Sequence, residues 1–201
     1  KRVHFVCVLQ SSALVGRLVE GSLELALRHW KFDQAVILLR GLRNRELPQR
    51  IFEAALRLRA RGLVRHIGMS SHHRPLVPQL ATNPDLEVLH LRYNAAHPGA
   101  EREIFPLLPA IDNRPGIVSF TATSWRQLMD PKKTPAGEKT PTALDCYRFV
   151  LSNEAVDVCL TGPSSAEQVE HSLKAFELGP MSDEDLAWMR RVGRAISPPN
   201  S

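Results

Sequence analysis

Hydrophobic residues along this chain follow two alternating patterns. Short, nearly continuous apolar runs recur, and amphipathic stretches with a helical period lie between them. The apolar runs predict six strands, at 3–9, 34–39, 64–71, 86–91, 117–121 and 156–160. The amphipathic stretches predict helices at 13–30, 48–62, 75–80, 100–111, 141–151, 165–179 and 182–196.

Strands that alternate with helices predict an α/β fold with a parallel sheet, because right-handed crossovers connect neighbouring strands. The sheet could be open and doubly wound, or it could belong to a (β/α)8 TIM-type barrel. No strand is followed by the glycine-rich phosphate turn of Rossmann folds, which favours the barrel. A complete barrel needs ~250 residues. The 201 residues are therefore expected to form a single, partial barrel domain over 1–201 with about six of the eight β/α units.

Composition narrows the class of protein and its partners. The 43% hydrophobic and 23% charged residues are typical of a soluble domain, and no apolar run approaches the ~20 residues of a membrane span. The net charge of +5 comes mostly from arginines spaced along helices, which argues against a nucleic-acid partner. The odd number of cysteines, Cys7, Cys146 and Cys159, predicts reduced thiols and a cytoplasmic location.

Two segments at predicted strand ends carry candidate binding groups. The third strand enters apolar and ends in Ser70 and Ser71, at the edge where α/β proteins bind ligands. The segment 162–168 opens a helix whose free N–H groups and dipole favour an anion. Ser165 and Gln168 also fit a capping box, so a well-capped helix start is an alternative interpretation of this segment.

Five segments together resemble the aldo-keto reductase family in their order and spacing. They are GLVRHIGMSSH (62–72), RYN (92–94), GIVSFTATS (116–124), RFVLS (148–152) and TGPSSAEQVE (161–170). The resemblance covers essentially the whole chain, from the family's third strand to its closing helices. It implies an oxidoreductase barrel that binds NADP or NAD at the carboxyl ends of the strands and reduces a small-molecule aldehyde or ketone.

The resemblance implies cofactor contacts at the strand ends. Ser70 and Ser71 match the family's Ser-Asn pair, and His90 matches a Gln; all three would hold the nicotinamide amide. Thr123 stands where most members place a Tyr that stacks on the nicotinamide ring. Ser124, beside it, would lie near the pyrophosphate.

The resemblance also places Gly162, Ser164, Ser165 and Gln168 where the family usually holds the adenosine 2′-phosphate with Arg or Lys. The absence of a cation there leaves three possibilities open. The chain could prefer NAD(H), could hold the phosphate weakly, or could simply cap the helix.

No catalytic residue is assigned from the resemblance. The family's acid Tyr and its Asp lie on units that this chain does not contain, and Tyr93 and Tyr147 do not match the acid's position. The family's Lys would end the first strand, which reads Leu-Gln10, and neutral Gln10 cannot lower the pKa of a phenol. The family's His would end the second strand, which reads Arg40-Gly41. Arg40 could polarise a carbonyl group or could be an exposed loop arginine.

Two other functions stay open. Replacement of the family's Lys and His permits a pseudoenzyme that binds the dinucleotide without turnover. A metal-dependent hydrolase barrel is a lesser alternative, because His72, His73, His90 and His97 lie near strand ends. Adjacent His72 and His73 would point apart, and no carboxylate has a ligand-like spacing, so no metal site is assigned.

Unpaired strand edges of a partial barrel predict a homo-oligomer.

Overall fold

The computed structural model describes residues 6–10, 16–31, 35–40 and 49–197. These ranges contain six strands: β1 (Val6–Gln10), β2 (Ala35–Arg40), β3 (Val64–Ser70), β4 (Val88–Arg92), β5 (Gly116–Phe120) and β6 (Val158–Cys159). The α-helices are α1 (Gly16–Trp30), α2 (Gln49–Ala60), α3 (Val77–Leu80), α4 (Ala100–Glu103), α5 (Ala143–Leu151), α6 (Ala166–Leu178) and α7 (Asp183–Ile196). Short 3-10 helices lie at Arg74–Leu76, Phe105–Leu107, Ile111–Asn113 and Gln127–Met129.

The chain divides into two compact units. Unit 1 comprises residues 1–90 and 107–116, and unit 2 comprises residues 91–106 and 117–201. Strand β4 starts in unit 1 and its last two residues belong to unit 2.

Unit 1 contains a four-stranded parallel sheet in the order β1-β2-β3-β4. One row of the register runs through Leu9, Leu39, Met69 and Leu89. Leu39, Met69 and Leu89 are buried, so this row lies in the core. Helices α1 and α2 contribute buried apolar side chains, namely Leu23, Leu27, Phe52, Ala54, Ala55 and Leu58. The prediction of a parallel α/β fold is confirmed.

In unit 2, β5 and β6 pair in parallel, with Val118 opposite Val158 and Ser119 opposite Cys159. A capping box starts α5, in which Thr142 accepts from the backbone of Asp145 and the Asp145 carboxylate accepts from the backbone of Thr142. The core of the unit consists of buried apolar side chains from β5, α5, α7 and the segment 91–104, among them Leu91, Ile104, Ile117, Phe149, Val150, Met189 and Val192.

A polar network inside unit 2 connects the segment after β4 with α7. Arg190 Nη1 donates to both carboxylate oxygens of Glu101, at 2.9 and 2.7 Å, and the Tyr93 hydroxyl donates to Glu101 Oε1 at 2.6 Å. Burial, followed by the hydrogen bond to Glu101, raises the pKa of Tyr93 well above its usual range. Tyr93 therefore stays protonated and serves as a structural donor.

Two expectations about local structure were wrong. The helix expected at 100–111 is only one turn, because Pro106 and Pro109 each lack an N–H and prevent its continuation. Strand β6 is shorter than the predicted 156–160. Helix α6 leaves much of its apolar stripe uncovered, because Leu173 is 51% and Phe176 is 74% exposed and the small residue Ala175 is the buried one.

None of the helices in the described part of the chain combines the length and the apolar composition that a membrane span requires.

Helix α7 passes close to the loop after β4, and Gly193 is the residue that permits it. A Cβ atom at Gly193 would lie 2.0 Å from the Ala95 carbonyl oxygen and 3.0 Å from the Ala96 nitrogen. We expect Gly193→Ala to lower the free energy of unfolding by about 1–3 kcal/mol, because rigid backbone must move to admit the methyl group. Urea titration followed by circular dichroism measures this change.

The matched control is Gly21→Ala in α1, where a Cβ atom would meet nothing within 4 Å. Alanine is a better helix former than glycine, so this variant is expected to be about 0.5–1 kcal/mol more stable than the parent. Equal effects of the two substitutions would contradict the close approach of α7.

Candidate functional site

Polar residues at the carboxyl ends of the unit 1 strands form one row. In the parallel register Gln10 lies opposite Arg40, Arg40 opposite Ser70, and Ser70 opposite His90. Strands β1, β2 and β3 each end at their member of this row. The structure therefore brings the predicted residues Ser70 and His90 together, at the edge of the sheet where α/β folds bind ligands.

Ser71 fixes the turn that follows β3. Its backbone N–H donates to the His90 carbonyl oxygen at 3.1 Å, and its hydroxyl accepts from the His73 backbone N–H at 3.0 Å. Ser71 is buried, whereas Ser70 is partly exposed. The Ser71 side chain thus acts mainly on the local backbone, and Ser70 offers the more accessible hydroxyl of the pair.

His90 is half-buried beside Ser70, and burial lowers its pKa below the usual 6.5. The imidazole is therefore neutral at neutral pH, with one nitrogen as donor and the other as acceptor. A hydroxyl and a neutral imidazole together can both donate to and accept from a primary amide. The chemistry of this pair fits the carboxamide of a nicotinamide ring.

In unit 2 the loop after β5 is strained. Thr121, Ser124, Trp125 and Arg126 all have positive φ, at 58°, 50°, 52° and 70°. The left-handed region costs a residue other than glycine about 1 kcal/mol or more, and such strain concentrates at binding and catalytic sites. The buried Asn94 holds the loop through a 2.7 Å hydrogen bond from its Nδ2 to the Thr121 carbonyl oxygen.

Thr123 and Ser124, both predicted to bind the cofactor, lie within this strained loop. The Thr123 hydroxyl accepts from the Arg126 backbone N–H at 3.2 Å. Ser124 is completely buried, and its hydroxyl has no hydrogen-bond partner among the described residues. Burial of a hydroxyl without a hydrogen-bond partner is unfavourable in free energy, so such a group in a folded protein calls for an explanation. Because it is closed to solvent, a phosphate oxygen could reach it only after a movement of the loop.

The predicted phosphate ligands at the start of α6 bind one another. The Ser165 hydroxyl accepts from the Gln168 backbone N–H at 3.2 Å, which confirms the predicted cap. Gln168 Oε1 accepts from the Ser164 backbone N–H at 2.9 Å and from the Ser164 hydroxyl at 3.2 Å. The segment, with Gly162, is exposed. An anion would have to displace the Gln168 side chain from the Ser164 N–H.

Both tyrosines belong to unit 2, and their side chains are engaged or buried within that unit. Tyr93 is engaged with Glu101, and Tyr147 is buried in a way that raises its pKa. Raised pKa values make both phenols poor proton donors at neutral pH. Among the described residues, no catalytic acid is therefore assigned. Gly41 lies outside the described residues.

The histidines considered as metal ligands do not assemble a metal site in the described residues, where no group of three His, Cys, Asp or Glu side chains could hold an ion. His97 instead pairs with Asn94, its Nδ1 lying 3.1 Å from Asn94 Oδ1. The metal-dependent hydrolase therefore gains no support from the arrangement of these side chains.

The sequence did not predict that Trp125, Arg92 and His97 form a cluster in unit 2. Trp125 is 59% exposed, the Arg92 guanidinium lies 6.0 Å from its ring centroid, and the His97 ring meets it edge-on at 6.3 Å. One signal for it was present in the sequence, since Trp125 directly follows the predicted Ser124 at a strand end. Its two neighbours in space lie far from it along the chain.

Neither a family model nor a curated protein matches this chain. Several solved structures match it. An aldo-keto reductase from Bacillus halodurans, AKR11C1 in its holo form, matches with a TM-score of 0.72 at 18% identity over 96% of this chain and 74% of its own. A putative 2,5-diketo-D-gluconic acid reductase B matches with a TM-score of 0.73 at 18% identity, over 98% of this chain and 73% of its own.

The thermostable aldo-keto reductase Tm1743 matches with a TM-score of 0.70 at 18% identity, over 93% of this chain and 70% of its own. At this level of identity the likeness concerns the fold. Six of eight β/α units are three quarters of a barrel, which agrees with the share of each structure that is matched. The chain therefore has a partial (β/α)8 fold that resembles the aldo-keto reductases, as its sequence motifs predicted.

Proposed function

We propose that this chain binds a nicotinamide dinucleotide, NADH or NADPH, and belongs to an oxidoreductase that reduces a small-molecule aldehyde or ketone. The observation that carries the proposal is the pairing of Ser70 with neutral His90 at the ligand-binding edge of an aldo-keto reductase-like sheet. When bound, the reduced dinucleotide supplies a hydride for a carbonyl carbon.

In unit 1 the proposed contacts are to the nicotinamide amide. The Ser70 hydroxyl and the His90 imidazole each form a hydrogen bond with it and orient the ring. Ser71 positions both residues, because its N–H binds the His90 carbonyl oxygen and its hydroxyl holds the following turn. Orientation of this kind lowers the entropic cost of reaching the reactive geometry.

In unit 2, taken by itself, the proposed contacts are to a phosphate group. Ser124, once the strained loop moves, gains the partner that its hydroxyl lacks, and Thr123 lies beside it. The N–H groups at the start of α6, with Gly162, Ser164, Ser165 and Gln168, attract an anion. These groups are neutral, so they discriminate less between a 2′-phosphate and a 2′-hydroxyl than an arginine would. Both NADH and NADPH are therefore candidates.

A second candidate is a pseudoenzyme that binds the dinucleotide without turnover. One observation in its favour is that the side chains of Tyr93 and Tyr147 are buried in unit 2. The other is Gln10, which lies at the strand end where the resemblance expects a lysine. A panel of aldehydes and quinones separates the two candidates. Consumption of NADH or NADPH with any of them would exclude the pseudoenzyme.

We further propose a cytoplasmic location, in agreement with the free thiols of Cys146 and Cys159.

Titration with NADH and NADPH, followed by the fluorescence of the three tryptophans, tests the binding proposal. We expect a saturable change with the parent protein. His90→Leu should weaken binding about tenfold, because it leaves one amide hydrogen bond unmade. His90→Gln restores an amide that can both donate and accept, and should bind within about threefold of the parent.

His66→Gln is the matched control, because His66 lies at the other end of the paired strands and binds Glu87 at 2.9 Å. It should leave the affinity unchanged. Absence of any response to either dinucleotide up to millimolar concentration would refute the proposal.

The lowered pKa of His90 also predicts a pH dependence of stability. Between pH 6.5 and the lower pKa of the folded state, the unfolded chain takes up the proton first, so stability falls as the pH falls through this window. Urea unfolding at pH 7.5 and 5.5 should show a loss that is smaller in His90→Gln than in the parent. An equal loss in both proteins would show that His90 does not contribute to it.

We propose that copies of this chain associate through the exposed apolar side chains of α6. Val169, Leu173 and Phe176 repeat at helical spacing on an exposed face of unit 2, and Val158 on β6 is also exposed. Sedimentation velocity of the parent should show association that increases with concentration. The double variant Leu173→Glu with Phe176→Glu should stay monomeric.

Leu107→Glu is the control, since Leu107 is an exposed apolar residue of unit 1. Its association should match the parent's. A parent protein that is monomeric at every concentration would contradict the proposed oligomer.

A further inference from the structure

The cluster of Trp125, Arg92 and His97 forms an exposed aromatic surface in unit 2, which we call the Trp125 platform. The indole is 59% exposed, and its N–H has no acceptor among the described residues. Arg92 is the last residue of β4, and Trp125 lies in the loop after the carboxyl end of β5. The platform is therefore built from the strand ends where α/β folds bind ligands.

A single buried amide holds both sides of the platform. Asn94 Oδ1 accepts from the backbone N–H groups of Ala96 at 3.0 Å and of His97 at 2.9 Å. This identifies the atom as the oxygen, so His97 Nδ1–H donates to it at 3.1 Å. Asn94 Nδ2 donates to Thr121 at the start of the loop that carries Trp125. Asn94 thus holds the His97 imidazole directly and the first residue of the loop that carries Trp125.

The backbone strain of the loop falls on Trp125 and its neighbours. Ser124, Trp125 and Arg126 are consecutive residues with positive φ, a conformation that bulky side chains rarely adopt. The strained loop thus carries a large apolar ring that is 59% exposed, and strain of this kind concentrates at binding sites.

Trp188 provides a comparison within the same unit. Its Nε1–H donates to the Lys139 carbonyl oxygen at 3.0 Å, and the Lys139 ammonium lies 5.4 Å from its ring centroid. These contacts fasten the irregular segment before α5 to α7, so Trp188 has a structural role. Trp125 forms no corresponding hydrogen bond among the described residues.

We propose that the Trp125 platform binds a planar aromatic ligand that carries a negative charge. The indole face stacks on the ring of the ligand, and the Arg92 guanidinium pairs with its anionic substituent. Exposed Arg126 adds positive charge beside the ring. Two sources share this chemistry, an aromatic carboxylate that is a separate small molecule and the dinucleotide itself. The inference rests on the geometry of unit 2 and not on the proposed function.

Isothermal titration with 2-naphthoate tests the platform, with two matched probes beside it. The neutral 2-naphthamide keeps the ring without the charge, and cyclohexanecarboxylate keeps the charge without the aromatic ring. We expect 2-naphthoate to bind at least tenfold more tightly than either probe. Trp125→Ala should weaken 2-naphthoate at least tenfold, and Trp125→Phe, which keeps a ring, should weaken it less.

Arg92→Gln should weaken 2-naphthoate but leave 2-naphthamide unchanged, since only the charged probe uses the guanidinium. Trp188→Phe should bind 2-naphthoate like the parent. Thermal unfolding of each variant verifies that it is folded. No binding of 2-naphthoate up to millimolar concentration, or equal binding to Trp125→Ala, would overturn the inference.

Repetition of the titration with saturating NADPH identifies the source of the ligand. Binding that persists assigns the platform to a separate small molecule, and displacement assigns it to the dinucleotide. A protein that binds 2-naphthoate but neither NADH nor NADPH would refute the proposed function and leave the platform intact.

Discussion

Parallel pairing of β1, β2, β3 and β4 is the constraint on which the candidate site of unit 1 depends. The register aligns residues of four strands into rows across the sheet, so a buried row and a polar row lie next to each other. Leu39, Met69 and Leu89 fill the buried row, and the next residue along each strand belongs to the row of Arg40, Ser70 and His90. A shift of one residue would place apolar side chains at the ligand edge.

The same constraint gives His90 its chemistry. Its place next to the buried row removes water from the imidazole, and burial lowers the pKa. A neutral imidazole next to a hydroxyl is a suitable partner for an amide. Position in the sheet thus favours the neutral form of the imidazole, which can both donate and accept a hydrogen bond.

The predicted cofactor-binding groups of unit 2 are covered in two different ways. The Gln168 side chain occupies the Ser164 N–H at the start of α6, whereas the Ser124 hydroxyl is buried and has no hydrogen-bond partner among the described residues. A ligand could bind at the first place only after the Gln168 side chain moved away. At the second place the loop that carries Ser124 would have to move. The Trp125 platform differs from them, because its ring is exposed and Asn94 holds the neighbouring His97 ring.

The sequence by itself determined the elements and several of their ends. Apolar runs and helical periods located the six strands and most helices, and the hydroxyl and amide at Ser165 and Gln168 identified a cap. These features are local, because hydrogen bonds and side-chain contacts within a few residues decide them. The order of the motifs also indicated the aldo-keto reductase-like barrel with about six units.

Only the tertiary structure decided which residues meet and which are covered. The outward stripe of α6, the burial of His90 and the contact of Trp125 with Arg92 all depend on packing between segments far apart in the chain. A hydrophobic period shows that a helix has an apolar face, but not whether another surface covers it. Likewise, a residue type shows what a side chain can bind, and the fold around it decides its neighbours, its pKa and its access to solvent.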